Sequence, residues 1–237
     1  MIEFLFSKYY KIKFRLIHSF HYRIKKNKCL LEDELLNADH TKWLDLGSSI
    51  NHANQNFHFA DLYPIEECLD EMKSKYYQLD ISQPIKEDVK NKLGKFHFIR
   101  MQHVFEHFTY EEASIVLDNC YELLEENGKL LITVPDLDIY LKRYTNSTLK
   151  HISSFGPWAH TRINENSPSS DYFSIYAHSM LHEKHLWCYN KHGLINKIES
   201  SNKFINVKKI GLLNKLAGIP FTHNRPEEDL CIISTKK

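Results

Sequence analysis

The sequence predicts an α/β fold in which helices cover both faces of a central sheet. Short apolar runs of strand length alternate with helical segments from residue 43 to residue 135, and two further strand-like runs follow later in the chain. The first run, 43–46, breaks at Gly47, and the second, 57–60, ends in Asp61. A glycine-led turn between two apolar runs, with an acid closing the second, is typical of the first half of a nucleotide-binding α/β unit.

Seven strands and several helices follow from apolar periodicity and turn residues. The clearest helix has apolar residues at helical spacing and is stopped by Asn127-Gly128. The segment 30–37 is also helical in pattern. The predicted strands are 43–46, 57–60, 76–79, 96–101, 129–134, 204–210 and 229–234. The predicted helices are 66–75, 87–93, 110–126 and 190–202.

Gly47 and Asp61 are the first candidate ligand-binding residues. Gly47 has no Cβ, so its backbone can approach a ligand closely. Asp61 lies at the carboxyl end of the second strand, where its carboxylate can accept both hydroxyl hydrogens of a ribose. The Gly-x-Gly-x-x-Gly fingerprint of dinucleotide enzymes is absent. Only about nine residues separate Gly47 from the second strand, too few for a helical crossover, so we predict a loop there.

Length and composition predict one globular domain with an appended segment. The chain has 237 residues, 42% of them hydrophobic, and a formal net charge of +1. Its five cysteines are far apart and never form Cys-x-x-Cys, which favours reduced thiols in a cytoplasm. No apolar run approaches the roughly 18 residues of a membrane span, and the amino terminus lacks the apolar core of a signal peptide.

The amino terminus is basic and aromatic. Residues 1–28 carry eight Lys or Arg against one acid, Glu3, while the rest of the chain holds 23 basic and 29 acidic residues. This segment predicts a helix that lies on an anionic membrane, caps the site of the domain behind it, or packs on the body with a solvated lysine face. We therefore divide the chain into a helical segment, 1–39, and a domain, 40–237, whose irregular stretch 136–190 is expected to be a lid or substrate segment.

Four short segments resemble class I S-adenosylmethionine-dependent methyltransferases, and most of all their type 11 group. These segments are Leu44-Asp45-Leu46-Gly47, Asp61-Leu62-Tyr63-Pro64, Leu79-Asp80-Ile81 and His103-Val104-Phe105-Glu106-His107-Phe108. Small bacterial members of this group are often linked to cell-surface polysaccharide synthesis. The resemblance implies a Rossmann-like seven-stranded sheet with the last strand antiparallel, and S-adenosylmethionine as cofactor.

The resemblance also implies residues that bind the cofactor. Gly47 would pass under it, Asp61 would bind the ribose, and Asp80 with the backbone of Ile81 would meet the adenine. Ser49 stands where the family usually has a second glycine in the first turn.

The methionine end of the cofactor would be lined by Gln102 and His103. His103 is predicted to be the general base, because neutral histidine suits proton removal near pH 7, and activity should then rise with pH near 6.5. His107 is the reserve candidate. His182 or His185 would replace both if the lid delivers the base.

The string His103-x-x-Glu106-His107 also matches an inverted zinc-protease motif. That motif needs a long helix, whereas a strand-like run leads directly into these residues. Some similar O-methyltransferases hold a divalent cation with Glu-x-x-Glu-His at this place, but His103 replaces the first Glu here. We therefore predict no metal, and expect Glu106 and His107 to form a hydrogen-bonded pair.

Together these features predict an S-adenosylmethionine-dependent methyltransferase that O-methylates a sugar or another small polar acceptor in surface-polysaccharide metabolism. We expect it in the cytoplasm, with peripheral contact to an anionic membrane through residues 1–28 as a further possibility. One alternative is a non-catalytic binding or scaffold protein of the same fold. Another is a nucleic-acid methyltransferase with a basic arm, but no Asn-Pro-Pro-Tyr motif follows the fourth strand, so no specific nucleic acid is expected.

Overall fold

A mixed sheet of seven strands forms the centre of the part of the chain that the structure describes. The computed structural model describes residues 43–47, 58–68, 70–146, 184–210 and 229–237. Seven strands lie in the order β3-β2-β1-β4-β5-β7-β6. Neighbours from β3 to β5 are parallel, and β7 runs antiparallel to both β5 and β6. The strands are β1 Trp43–Leu46, β2 His58–Asp61, β3 Tyr76–Gln78, β4 Phe96–Gln102, β5 Leu124–Pro135, β6 Phe204–Ile210 and β7 Asp229–Lys236.

This arrangement confirms the predicted α/β class, the seven strands and the antiparallel last strand. The helices of the described residues are α1 Glu87–Leu93, α2 Glu112–Leu123, α3 Leu137–Asn146 and α4 Lys191–Ser200. Three short 3-10 helices lie at Ile65–Glu67, Asp70–Lys75 and Phe105–His107.

Two predicted helices differ from the structure. The predicted helix 66–75 is replaced by two 3-10 helices that are separated at Cys68, which is buried. The predicted helix 110–126 ends at Leu123, because Leu124 begins β5 and pairs with Phe96 of β4. Local helical periodicity is overridden there by the sheet.

The structure also contains a helix that the sequence analysis missed. Helix α3 begins directly after Asp136, inside the stretch expected to be irregular. The Asp136 carboxylate accepts a hydrogen bond from the Asp138 amide at 3.2 Å, as an N-terminal capping residue does. In the sequence, the signal for this helix was Asp136 followed by apolar residues at helical spacing, Leu137, Tyr140 and Leu141.

The main core lies between the sheet and the helices. Leu44 of β1 and Ile99 of β4 are fully buried, and they share one cluster with Val116 and Leu117 of α2. The apolar stripe predicted for the helix after β4 is therefore confirmed as its sheet-facing side.

A buried ion pair joins β1 and β4. Asp45 and Arg100 lie opposite each other, with Arg100 Nη2 2.5 Å from Asp45 Oδ2. Their neighbours Trp43 and Phe98 pack with ring centroids 5.3 Å apart. The two charges balance each other within a sheet region that excludes water.

Because β1 to β5 are parallel, their carboxyl ends meet at one edge of the sheet, which we call the carboxyl edge. Backbone hydrogen bonds join neighbouring strand ends along it. Gly47 donates to Ala60 at 2.8 Å, and the Leu79 amide donates to the Asp61 carbonyl at 2.8 Å. The residues that follow these strands are thus gathered in one place, as the sequence predicts.

Several predictions concern residues outside the described part of the chain. These are the basic segment 1–39 with its three interpretations, the loop between β1 and β2, and residues 147–183 of the predicted lid. Among the described cysteines, Cys68, Cys120 and Cys231 are free thiols and are buried. None of the helices described here is long and apolar enough to span a membrane.

Asn119 of α2 holds the loop that follows β3. Its side-chain amide donates to the carbonyls of Ile81 at 2.9 Å and Gln83 at 2.8 Å, and its carbonyl accepts from the Ile85 amide at 3.1 Å. Asn119 is buried, so no water replaces these bonds readily. This side chain positions the loop that contains the predicted adenine contacts.

We expect Asn119→Ala to lower the free energy of unfolding by about 2–4 kcal/mol, because three backbone groups lose a buried partner. The measurement is urea unfolding followed by circular dichroism, with a lower midpoint at an unchanged slope. Asp118→Asn is the matched control, since Asp118 is exposed on the same helix and only forms a surface ion pair with Lys203. Equal midpoints for Asn119→Ala and the parent would contradict the role assigned to this side chain.

Candidate active site

Gly47 directly follows β1 and adopts a left-handed backbone conformation with φ of 71°. A Cβ at this position would lie 2.4 Å from Cγ2 of Val104, which is far inside contact distance. Both the backbone conformation and the close approach of Val104 therefore require glycine. The sequence analysis expected a ligand to use the missing Cβ, and a side chain of the loop after β4 uses that space.

Asp61 is the last residue of β2, and its side chain is partly exposed. One carboxylate oxygen accepts the Leu62 amide at 2.6 Å. The Asp61 carbonyl accepts the Tyr76 hydroxyl at 3.2 Å. Burial, reinforced by the negative charge of Asp61, raises the pKa of Tyr76 to about 12, so its hydroxyl stays a donor. Carboxylate oxygens accept hydrogen bonds from hydroxyl groups such as those of a ribose.

Asp80 and Ile81 follow β3 at the same edge. Asp80 is exposed, and its Oδ1 accepts both the amide and the hydroxyl of Ser82, at 2.9 and 2.7 Å. Ile81 is buried, and its carbonyl is bound by Asn119. Asn119 therefore fixes this loop, in which Asp80 is exposed and the two apolar side chains of Ile81 and Ile85 are buried.

Gln102 and His103 end the fourth strand. Gln102 is the last residue of β4 and lies opposite Thr133 of β5. His103 adopts φ of 56°, a left-handed conformation that histidine tolerates better than most residues, and its amide donates to the Thr133 carbonyl at 2.9 Å. This turn directs the imidazole away from the strand line.

The imidazole of His103 lies between two buried carboxylates. Nδ1 is 3.3 Å from Glu106 Oε1, and Nε2 is 3.1 Å from Asp229 Oδ1. The Asp229 side chain is fully buried and the Glu106 side chain is 2% exposed, whereas His103 is 20% exposed. We refer to these three residues as the histidine–carboxylate triad.

The triad keeps His103 protonated. Burial by itself lowers the pKa of the imidazole, but the carboxylates of Asp229 and Glu106 outweigh it and raise the pKa to about 10. The prediction that His103 is neutral near pH 7 is therefore wrong for this geometry. Because both of its ring nitrogens face carboxylates, His103 has no nitrogen that could take a proton from the hydroxyl of a substrate. Its part in any reaction remains a prediction.

The sequence analysis did not identify Asp229. It begins β7, which runs antiparallel to β5 and therefore starts at the carboxyl edge, opposite Pro135. The strand order thus places Asp229 beside His103, although the two residues are 126 positions apart in the sequence. An acid at the start of the last strand was visible in the sequence, but its partner depended on the strand order.

His107 has different neighbours from His103. Its Nδ1 lies 3.2 Å from the Lys184 carbonyl, so this nitrogen carries the proton and donates. Its ring meets the ring of His185 edge-on, with centroids 4.8 Å apart. Glu106, His107 and His185 each offer one ligand atom within 4.8 Å of the others. His182, the other reserve candidate, lies outside the described residues.

The chain around His185 is fixed to the loop after β4. The amides of Leu186 and Trp187 both donate to the Glu106 carbonyl, at 2.8 and 3.2 Å. Trp187 packs against Tyr110 with ring centroids 5.1 Å apart, and each of these two residues is 42% exposed. An aromatic surface thus lies next to the Glu106–His107–His185 cluster.

The residues of the carboxyl edge fit a nucleoside. A partly exposed carboxylate at the end of β2 matches ribose hydroxyls, and the ordered loop after β3 matches a flat base. The Val104 side chain packs against Gly47 and occupies part of the space beside the turn after β1. A ligand bound at this turn would therefore contact the Val104 side chain as well as the glycine backbone.

No protein-family model matches the chain. No curated protein matches it.

Several solved structures resemble the chain. One is magnesium protoporphyrin IX methyltransferase from Synechocystis PCC 6803 with bound SAH, with a TM-score of 0.46 and 12% identity over 88% of this chain and 78% of that one. Another is N-methyltransferase NodS from Bradyrhizobium japonicum WM9 in complex with S-adenosyl-L-homocysteine, at 0.46 and 10% over 91% of each chain. A third is a SAM-dependent methyltransferase, possible histamine N-methyltransferase, from Thermotoga maritima, at 0.47 and 13% over 94% and 97%. These likenesses are too distant to assign a reaction.

We expect His103→Asn to lower the free energy of unfolding by about 3–5 kcal/mol near neutral pH, because two buried carboxylates lose their cation. Asn is chosen since it tolerates the left-handed backbone at this position. The contribution of His103 is fully present below its unfolded pKa of about 6.5, and is lost as pH rises through the folded pKa of about 10. The difference between parent and variant should therefore be largest at pH 6 and shrink towards pH 10.

Urea midpoints across this pH range measure the difference. His192→Asn is the control, since His192 is exposed at the start of α4 and should show no such gap. A constant gap between parent and His103→Asn from pH 6 to pH 10 would show that His103 is not a cation in this triad.

Proposed function

We propose that the protein is an S-adenosylmethionine-dependent methyltransferase that acts on the oxygen of a small polar acceptor. The observation that supports this most is the placement of Gly47 and Asp61. They end neighbouring parallel strands of a sheet with the order 3-2-1-4-5-7-6, and a backbone bond joins the two strand ends. Ligands of open α/β sheets bind at this edge.

In this proposal each strand end binds a different part of the cofactor. Asp61 binds the ribose, and the loop holding Asp80 and Ile81 lies along the adenine. Gln102 faces the methionine end. The cofactor supplies a methyl group on a sulfonium, which is already an activated leaving group. The protein therefore mainly has to align the acceptor with that methyl.

The acceptor would bind beside the cluster of Glu106, His107 and His185. His107 replaces His103 as the proposed base, because its Nδ1 donates to Lys184 and leaves Nε2 as an acceptor. The protonated His103 instead orients Glu106 through the 3.3 Å contact. The ring of Trp187, which is 42% exposed and packs on Tyr110, offers a stacking surface for a sugar ring. A role in surface-polysaccharide metabolism is supported only by the resemblance of the sequence.

A non-catalytic binding protein of the same fold is the second candidate. Val104 favours it, because its side chain takes the space beside Gly47 that a cofactor would be expected to use. The two candidates differ in cofactor affinity and in turnover.

Asp61→Ala should weaken binding of S-adenosylhomocysteine by about 10- to 150-fold, because two charge-assisted hydrogen bonds worth about 1.5–3 kcal/mol together are lost. Isothermal titration with the full chain measures this. Asp88→Ala is the control, since Asp88 is an exposed carboxylate of α1 outside the carboxyl edge. If Asp61→Ala binds as well as the parent, the ribose assignment is wrong; if the parent itself does not bind, the methyltransferase proposal fails.

A further inference from the structure

Glu106, His107 and His185 have the composition and spacing of a metal site. One ligand atom from each lies within 4.8 Å of the others. We propose that these three residues bind a divalent transition-metal ion of the zinc class through one carboxylate oxygen and two imidazole nitrogens. This differs from the sequence analysis, which predicted no metal and considered His103, not His185, with Glu106 and His107.

Glu106 provides the first reason. Its side chain is 2% exposed, and Oε1 contacts His103 at 3.3 Å. The other oxygen, Oε2, is buried and has no hydrogen-bond partner among the described residues. A buried carboxylate oxygen without a partner is costly, and a cation would satisfy it. His103 fixes the orientation of the carboxylate, as outer-shell groups do around metal ligands.

His107 provides the second reason. Its Nδ1 faces the Lys184 carbonyl at 3.2 Å. Histidines that bind metals almost always donate their other ring N–H to a carbonyl or carboxylate, which sets the tautomer and aims the free nitrogen at the metal. His107 is therefore already arranged to present Nε2.

His185 reaches the cluster from a segment far along the chain. The amides of the next two residues donate to the Glu106 carbonyl, so the main chain holds His185 beside the other two ligands. The rings of His107 and His185 meet at 80°, with centroids 4.8 Å apart. Main-chain bonds thus bring all three ligands together without help from an ion.

The donor set decides the class of metal. Two imidazoles and one carboxylate suit Zn²⁺ or a related transition metal, whereas Mg²⁺ and Ca²⁺ prefer oxygen ligands throughout. Ligands of one Zn²⁺ lie about 3.3 Å apart when each bond is about 2.0–2.1 Å long. Binding then needs a contraction of about 1–1.5 Å from the outer limit of this cluster.

Three protein ligands leave a fourth position open, as in catalytic zinc sites. That position would take water. If the proposed methyl transfer is right, it would also take the acceptor hydroxyl and lower its pKa. In that case His107 is a ligand and not a base, and the hydroxyl proton is lost to solvent. Metal binding itself does not depend on the proposed function.

The test is isothermal titration of the metal-stripped full chain with ZnCl₂, repeated with His107→Ala and His185→Ala. We expect the parent to bind one equivalent at the site, and each variant to lose at least about 100-fold in affinity, more than an outer-shell change usually costs. His192→Ala should bind like the parent, because His192 is exposed on α4. Circular dichroism confirms that each variant is folded.

Glu106→Gln should give the same loss, and the two histidine variants keep the test valid if this buried change prevents folding. Zinc binding that is absent from the parent, or unchanged in both histidine variants, would overturn the proposal. Tighter binding of Mg²⁺ than of Zn²⁺ would overturn the assigned class of metal. Titration of the metal-free protein with S-adenosylhomocysteine is read separately, so failure of the metal site and failure of the proposed function are distinguishable.

Discussion

The charge of His103 between Asp229 and Glu106 is the interaction on which the carboxyl edge depends. The Asp229 side chain is fully buried and the Glu106 side chain is 2% exposed, so each needs a facing positive group to offset its loss of hydration. The triad joins the end of β4, the 3-10 helix after it and the first residue of β7. Strand order makes this possible, because β7 runs antiparallel and so begins where β4 and β5 end.

The triad also gives His103 surroundings that differ from those of His107, four positions further along the chain. His103 is enclosed by carboxylates, which raise the pKa of its imidazole to about 10. His107 faces a carbonyl and another imidazole, and keeps one nitrogen for chemistry. Glu106 belongs to both groups, since its Oε1 contacts His103 and one of its oxygens lies within 4.8 Å of a ring nitrogen of His107 and of His185. Environment, not residue type, sets each role.

Local patterns were sufficient to predict most strands, the class of the fold and the acids at the strand ends. Apolar runs and terminal acids such as Asp61 are encoded within a few neighbouring residues. The protonation of His103 was not predictable in this way, because it depends on Asp229, which only the strand order brings near. The helix predicted to end at Glu126 was shortened for a similar reason, since Leu124 pairs with β4. His185 was named only as a reserve base, because its position beside Glu106 depends on main-chain bonds between distant segments.

We propose that the carboxyl edge is the ligand site. Hydrogen–deuterium exchange of the full chain with and without S-adenosylhomocysteine tests it most directly. We expect slower exchange in the segments that follow β1, β2, β3 and β4, around Gly47, Asp61, Asp80 and Gln102, and no change at the opposite edge of the sheet near Gly94. Slower exchange only at that opposite edge, or no change anywhere at saturating ligand, would contradict the claim.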